Sequence, residues 1–241
     1  MQAWGMTEPG MVRAQNQDYY SIIKLGRDQL LAIVCDGMGG ANAGNIASET
    51  AVKTISDYIV HSYRISMDSV DIEKMLRNAI ESANIEVYEM ALKDETLSGM
   101  GTTVVVTLIK DNIAVIAHVG DSRAYLMKKD LTQLTRDHSV VQSLVETGKI
   151  TSSEAKVHPR KNVITRALGA EENVMPDINT IAIEKGDLIL LCTDGLTSYA
   201  TEDEIKATLS EFDSTVAERL VDLANNGGGG DNITVVVLKN E

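Results

Sequence analysis

Leu30-Leu31-Ala32-Ile33-Val34-Cys35-Asp36-Gly37-Met38-Gly39-Gly40 is the stretch from which the rest of the chain can be read. Six apolar residues run without interruption, stop at a carboxylate and give way to glycines. A strand with one wet face alternates apolar and polar residues. An unbroken apolar run this short, bounded by glycine, marks a strand covered on both faces. It delivers Asp36 to the tip of a rigid element, followed by backbone able to bend sharply.

The pattern recurs. Ile113 to Val119 is mostly apolar and ends at Gly120-Asp121, and Leu188 to Cys192 is wholly apolar and is followed, after Thr193, by Asp194-Gly195. Near the C-terminus the order inverts: Gly227 to Gly230 lead into Asp231-Asn232 and the apolar run Ile233 to Leu238. Asp-Gly is also a strong hairpin signal, because both central positions of that turn take positive φ. A hairpin needs a second strand at once, however. Asp36 is followed by Met-Gly-Gly and a helical pattern, and Asp194 by Leu196 to Tyr199 and a helix start at Thr201. Four aspartates at strand tips, gathered on one rim, form a carboxylate cluster, which calls for cations.

The 241 residues suit one large domain or two small ones, and 44% hydrophobic composition is ample for a core. With one Trp, one Phe and seven Tyr, aliphatic packing must dominate. The net charge of −13 argues against nucleic acid or an anionic membrane as partner. It also poses a problem for an anionic substrate, which metals and local arginines would have to solve. No stretch approaches the ~20 apolar residues of a bilayer span, and no secretory leader is visible. Cys35 and Cys192 both lie in apolar strands, so they are expected as small core residues, not a disulfide, in a reducing cytoplasm.

Gln2 to Thr7 reads as a first strand and Tyr19 to Lys24 as another, joined by a polar connector, Arg13-Ala-Gln-Asn16-Gln17-Asp18. Its Arg, Asn and Asp suit a phosphate and a metal-bound water. Ala47, Ala51, Ile55 and Ile59 recur every fourth residue in a helix from about Asn42 to His61; a longer helix covers Asp71 to Leu92. Met75 and Met90 are expected as core filler. Thr102 to Ile109 and Ile113 to Val119 form a hairpin across Asp111-Asn112, and Arg123 to Met127 pairs with Leu131 to Leu134. Thr135 to Gly169 is a polar excursion holding His138 and His158. Strands at Asn179 to Ile183 and Asp187 to Cys192 join across Lys185-Gly186. Thr201-Glu-Asp-Glu204 is a capping box opening a helix to Ser210, and Ser214 to Asn225 is a last helix closed by glycine. Consecutive hairpins with helices outside them point to an α+β fold with two antiparallel sheets, read as one domain over residues 1–241.

Hard divalent cations such as magnesium or manganese prefer oxygen ligands and keep several waters, and no Cys/His spacing points to zinc. A metal pair ~3.5–4 Å apart can bind a bridging hydroxide and clamp a phosphoryl group for in-line attack.

Taken together, Gly10-Met-Val-Arg13-Ala-Gln-Asn16-Gln17-Asp18, Asp36-Gly37-Met38-Gly39-Gly40, Gly101-Thr102-Thr103, Gly120-Asp121-Ser122-Arg123, Asp194-Gly195-Leu196 and Gly230-Asp231-Asn232 resemble the bacterial branch of the metal-dependent serine/threonine protein phosphatases of type 2C. The resemblance runs from Gly10 to Val237, and six motifs in order are far more specific than any one. It implies a four-layer αββα sandwich with two to three divalent cations, manganese or magnesium, at one end of the sheets. Asp36 matches the carboxylate bridging two metals, with the Gly37 carbonyl on the second. Asp194 and Asp231 match further ligands of the first, Asp18 a residue holding metal-bound waters, and Asp121 the ligand of a third, weaker metal. Arg13 matches the residue gripping the substrate phosphate, and Asn232 one that orients a metal-bound water. The excursion at 135–169 matches the family's flap beside the cleft. One departure is Met38, where many eukaryotic relatives carry a histidine proposed as general acid. Met38 has no proton to donate, so metal-bound water or another group must serve; His138 and His158 qualify by residue type alone, and structural or surface roles are expected for them.

The implied activity is hydrolysis of phosphoserine and phosphothreonine in proteins by direct attack of a metal-bridging hydroxide. Phosphorylated proteins and an opposing serine/threonine kinase are the implied partners, with no nucleic acid or membrane, for a cytoplasmic monomer. Three other readings are weighed against it. An aspartate-nucleophile phosphatase would carry Asp-x-Asp after its first strand, and here Gly-Met follows Asp36. A pseudophosphatase serving as a phosphopeptide-binding scaffold would show loss of a metal aspartate or of the arginine. A structural domain with turn aspartates leaves Arg13 and the ordered carboxylates unexplained.

Overall fold

The computed structural model describes residues 1–40 and 43–241. Strands β1 (Gln2–Glu8), β2 (Asp18–Lys24) and β3 (Leu30–Met38) precede helices α1 (Ala43–Ser62) and α2 (Ser69–Lys93). The middle of the chain holds β4 (Gly101–Thr102), β5 (Val104–Lys110), β6 (Ile113–Val119), β7 (Arg123–Met127) and β8 (Leu131–Gln133). Two short helices, α3 (Val140–Glu146) and α4 (Ser152–Val157), occupy the excursion. Then follow β9 (Asp177–Ala182), β10 (Leu188–Cys192), the single turn α5 (Asp194–Thr197), α6 (Glu202–Ser210), α7 (Val216–Asn226) and β11 (Ile233–Lys239).

One sheet runs β1-β11-β10-β7-β8 and the other β2-β3-β5-β6-β9, with β4 added to β3; every pairing is antiparallel. The uninterrupted apolar strands follow from this layering. Along β3, Leu31, Ile33 and Cys35 pack with the inner faces of α1 and α2, while Leu30, Ala32 and Val34 face the other sheet. Along β10, Leu188, Leu190 and Cys192 meet α5, α6 and α7, while Ile189 and Leu191 turn to the inter-sheet core. Alternation persists, but both faces are dry. Three apolar layers thus separate four structural ones, giving the αββα sandwich. Both cysteines are buried and free.

The helix faces follow the four-residue spacing: Ala47, Ala51, Ile55 and Ile59 of α1 are fully buried. The proposed start of that helix at Asn42 lies outside the described residues. Asp111 and Asn112 both adopt positive φ (50° and 60°), the two-residue turn expected between β5 and β6. Thr201 and Glu204 form the reciprocal capping box that opens α6. One expectation needs correction. The run from Thr102 to Ile109 breaks at Thr103, whose N–H is drawn onto Asp36 O at 2.9 Å. β9 and β10 join across Lys185-Gly186 as expected and belong to opposite sheets: the turn crosses the sandwich, tied by Gly186 N–H to Asn240 O at 2.7 Å. Among the described residues no helix is long and apolar enough to cross a membrane.

Candidate metal centre

Asp18 and Asp36 stand opposite each other in the β2–β3 register, so their side chains leave the same face of the sheet. Asp36 is held through its backbone. Its N–H donates to Thr103 Oγ1 at 3.0 Å, and its carbonyl accepts from Thr102 Oγ1 and Thr103 N–H, both at 2.9 Å. Thr102 and Thr103 of the Gly101-Thr102-Thr103 motif therefore clamp the Asp36 backbone. Thr103 Oγ1 also lies 2.6 Å from Ser122 Oγ, which brings the Gly120-Asp121-Ser122 corner against the same clamp. Gly120 has φ of +104°, and a Cβ there would come within 2.6 Å of Thr103 Cγ2, so only glycine lets the corner close.

The second sheet contributes Asp194 and Asp231. Thr193 donates its hydroxyl to Asp18 Oδ2 at 2.9 Å and accepts Thr234 N–H at 3.0 Å, which ties β2 of one sheet to β10 and β11 of the other. Thr234 continues through Thr7 Oγ1 (2.6 Å) to Asn16 Nδ2 (2.8 Å from Thr7), and Asn16 Oδ1 accepts Asp18 N–H at 3.1 Å. The start of α5 lies so close to β11 that a Cβ on Gly195 would sit 1.8 Å from Asn232 O. The predicted strand-tip aspartates thus converge on one end of the sandwich.

Their electrostatics register the crowding. Burial raises the Asp18 carboxyl to about 7, with the charges of Asp194 and Asp231 adding. Asp121 is raised to about 7 by burial, then by Asp194 and Asp137. Asp194 rises to about 6, by burial and then by Asp231. Asp36 stands well above the ordinary carboxylate range, by burial first and then by Asp18, Asp194, Asp121 and Asp231. Of these five carboxylates only Asp231 has an ion-pair partner among the described residues: Arg13, whose Nη2 donates to Oδ2 at 2.9 Å. Asp18 Oδ1 is buried and makes no hydrogen bond. Crowded, mutually repelling carboxylates and an orphaned oxygen, in an all-oxygen donor set, fit hard divalent cations.

Asn232 is held by three backbone groups. Its Nδ2 donates to Pro9 O at 3.0 Å and Gln15 O at 2.8 Å, and its Oδ1 accepts Gln17 N–H at 2.8 Å. The side chain staples the Arg13 loop through these three backbone bonds. Gly37, buried at the end of β3, pairs with Thr102 and donates its N–H to Gln17 O at 3.0 Å.

Arg123 of the Gly-Asp-Ser-Arg motif stands beside the cluster, its charge opposing the rise of Asp121 and Asp194. It makes a bidentate pair with Asp137, Nε to Oδ1 at 2.9 Å and Nη2 to Oδ2 at 2.7 Å, anchoring the first residues of the excursion. A cleft of about 630 Å³ opens there between Asp121, Asp194, Gln142, Lys156, Lys161 and Glu202. His138 is buried at the root of the excursion, while His158 Nδ1 accepts Arg160 N–H on its exposed part. His118, His138 and Asp177 also bring ligand atoms within 4.8 Å of one another. The two imidazoles are nearly parallel there, 18° apart with centroids at 4.8 Å, so they do not aim at a common point. Arg166 Nη1 sits 2.8 Å from Asp177 Oδ1 and supplies the cation. Thr193, Thr234 and the Arg123–Asp137 pair escaped the sequence reading, since a threonine inside an apolar strand carries no local signal of its partner.

The chain matches the Protein phosphatase 2C family across residues 12–226. It is 40% identical over 248 residues to "Serine/threonine phosphatase stp" of Listeria monocytogenes, covering 100% of this chain and 96% of that protein. The solved structure of "Serine/threonine phosphatase Stp1 from Staphylococcus aureus" superposes with a TM-score of 0.94 at 35% identity, covering 100% of this chain and 95% of that one. The catalytic domain of "serine threonine protein phosphatase PstP", described "in complex with 2 Manganese ions", gives 0.84 at 34% identity, over 98% and 96% of the two chains.

Proposed function

The chain belongs to the protein phosphatase 2C family, and on that footing we propose that it hydrolyses phosphoserine and phosphothreonine in proteins. Two to three divalent cations, manganese or magnesium, would be held by Asp36, Asp194 and Asp231, with Asp18, Asp121 and the Gly37 carbonyl completing the set. The observation that carries this reading is the convergence of five carboxylates, one with a buried and unpartnered oxygen, on the end of the sandwich where Arg13 stands. Cations bound there supply an acidified water near neutral pH and charge neutralisation for phosphoryl oxygens.

The residues of the chain do the rest. Arg13 is half exposed on a loop fastened by Asn232 and by Met11 N–H to Gly229 O at 2.7 Å. Its planar guanidinium suits bidentate binding of a phosphate, exchanging the Asp231 carboxylate for another anion. That local cation is how a chain of net charge −13 receives an anionic substrate. Asp18, pinned by Thr193 and Asn16, keeps one buried oxygen free of hydrogen bonds. Met38 gives no proton, so the leaving alkoxide takes its proton from water at the site. Asn232 is a positioning residue for the Arg13 loop. The excursion at 135–169 borders the cleft and contacts substrate. Two free cysteines suit a reducing cytoplasm, where the enzyme acts as a monomer opposing a serine/threonine kinase.

The test is hydrolysis of a phosphothreonine peptide with manganese, with chelator, and with Asp231→Ala. Turnover that needs both metal and Asp231 is expected. Manganese binding without turnover in the wild type would replace this reading with the phosphopeptide-binding scaffold, and a trapped aspartyl-phosphate would overturn direct hydrolysis.

A further inference from the structure

His138 lies outside the carboxylate cluster, yet it grips the residue next to one of its members. Its Nδ1 accepts Gly120 N–H at 3.1 Å, and its own N–H donates to Gly120 O at 2.9 Å. Both backbone groups of the residue preceding Asp121 are therefore satisfied by one residue at the root of the excursion. Gly120 is held from the opposite side by Thr103, against which its α-carbon packs too tightly for any side chain.

The imidazole is itself fixed on every side. It is 6% exposed and stacks on His118, whose Nε2 donates to Arg136 O at 2.8 Å. A lone pair on Nδ1, needed to receive Gly120 N–H, puts the ring proton on Nε2, which faces Asp177 Oδ2 at 3.3 Å. Arg166 Nη1 stands 3.1 Å from the same nitrogen and bonds Asp177. Burial and the neighbouring His118 hold the ring below its usual pKa, consistent with the neutral form this bonding requires. The same residue anchors the excursion at both ends: Thr165 N–H donates to His138 O at 2.7 Å, and the adjacent Ser139 caps α3.

We propose that His138 is a positioning residue for Asp121: its Nδ1 fixes the Gly120 peptide, and with it the direction in which the Asp121 carboxylate is presented to a divalent cation. The inference rests on the reading of Asp121 as a ligand of the weakest metal. Among the described residues it also makes the seating of the excursion and the geometry of that ligand one mechanical unit, joined through His138, Asp177 and Arg166.

The test is a manganese titration followed by electron paramagnetic resonance, counting bound ions and their dissociation constants in wild type, Asp121→Asn, His138→Leu, His138→Gln and His138→Asn. Asparagine can place its Oδ1 where Nδ1 stands, and the longer glutamine cannot. Loss of one hydrogen bond corresponds to about tenfold. We expect His138→Leu and His138→Gln to weaken only the weakest site by about tenfold, with the peptide kcat recovered at high manganese, and His138→Asn to bind as wild type. Wild-type binding by both His138→Leu and His138→Gln, with a site lost in Asp121→Asn, would overturn the inference alone. An unchanged titration in Asp121→Asn would overturn the reading of Asp121 and the inference with it. Should His138→Leu not fold, the glutamine and asparagine variants decide: equal weakening in both refutes an Nδ1-specific role.

Discussion

Replacing Asp18 by asparagine in the metal-free protein isolates the electrostatic cost of the cluster. The Asp18 carboxyl is raised to about 7 in the fold and titrates near ~3.9 in an unfolded chain. The folded state therefore holds its proton more tightly. The stability this contributes is complete below about pH 4 and is lost as the pH climbs towards 7. With 1.36 kcal/mol per tenfold change, the penalty amounts to about 1 kcal/mol at pH 4.5 and about 4 kcal/mol at pH 7.5. An asparagine carries no such penalty at either pH, and any fixed cost of its buried amide cancels between them. Urea unfolding in chelator should then show the variant gaining on wild type by up to about 3 kcal/mol between pH 4.5 and 7.5, at unchanged m-value. Saturating manganese should reverse the order, because the carboxylate then has a partner and the amide does not. A difference between variant and wild type that is the same at both pH values would refute the argument from burial.

Arg13→Ala should lower kcat/KM on a phosphopeptide by about 10- to 100-fold, the scale of one or two charge-assisted bonds, while manganese binding measured by calorimetry holds or tightens because a competing cation leaves Asp231. Thr103→Val strips partners from Asp36 N–H and Ser122 Oγ together and should cost about 2–4 kcal/mol in urea unfolding; a loss under about 0.5 kcal/mol would show the clamp to be redundant. Gly195→Ala forces a methyl onto Asn232 O and should destabilise by about 3 kcal/mol or more, checked by soluble yield and melting temperature. Manganese at about 100 times its dissociation constant should stabilise wild type by about 2.7 kcal/mol per site, and Asp36→Asn should blunt that gain; equal melting curves with and without metal would count against the cluster.

Much of the candidate site was legible in the linear chain because chemistry and local conformation coincide in it. Asp36, Asp121, Asp194 and Asp231 sit where apolar strands stop and glycine begins, and that juxtaposition is a property of the linear chain. Arg13 and Asp18 were visible as residue types a phosphate and a cation need. The supports were not readable in the same way. Thr193 reaches Asp18 across 175 positions, and Asn232 reaches Pro9 across 223; neither leaves a trace in local composition. The Asn232 amide illustrates the difference: no local signal announces that its side chain joins three backbone groups of a distant loop. The β9–β10 turn is similar, since a Lys-Gly between two strands reads alike whether the strands pair or part.

By itself the sequence determined which segments are strands and helices, that both faces of the central strands are dry, and which carboxylates end them. These follow from periodicity and from the few residues that tolerate a sharp turn, all of them short-range effects. Only the tertiary structure decided which strands share a sheet, and how hydroxyls and amides brace the carboxylates. It also placed His138 against the residue that precedes Asp121. Hydrogen bonds span about 3 Å in space and any distance along the chain, so the packing of the two sheets, and nothing local, selects their partners.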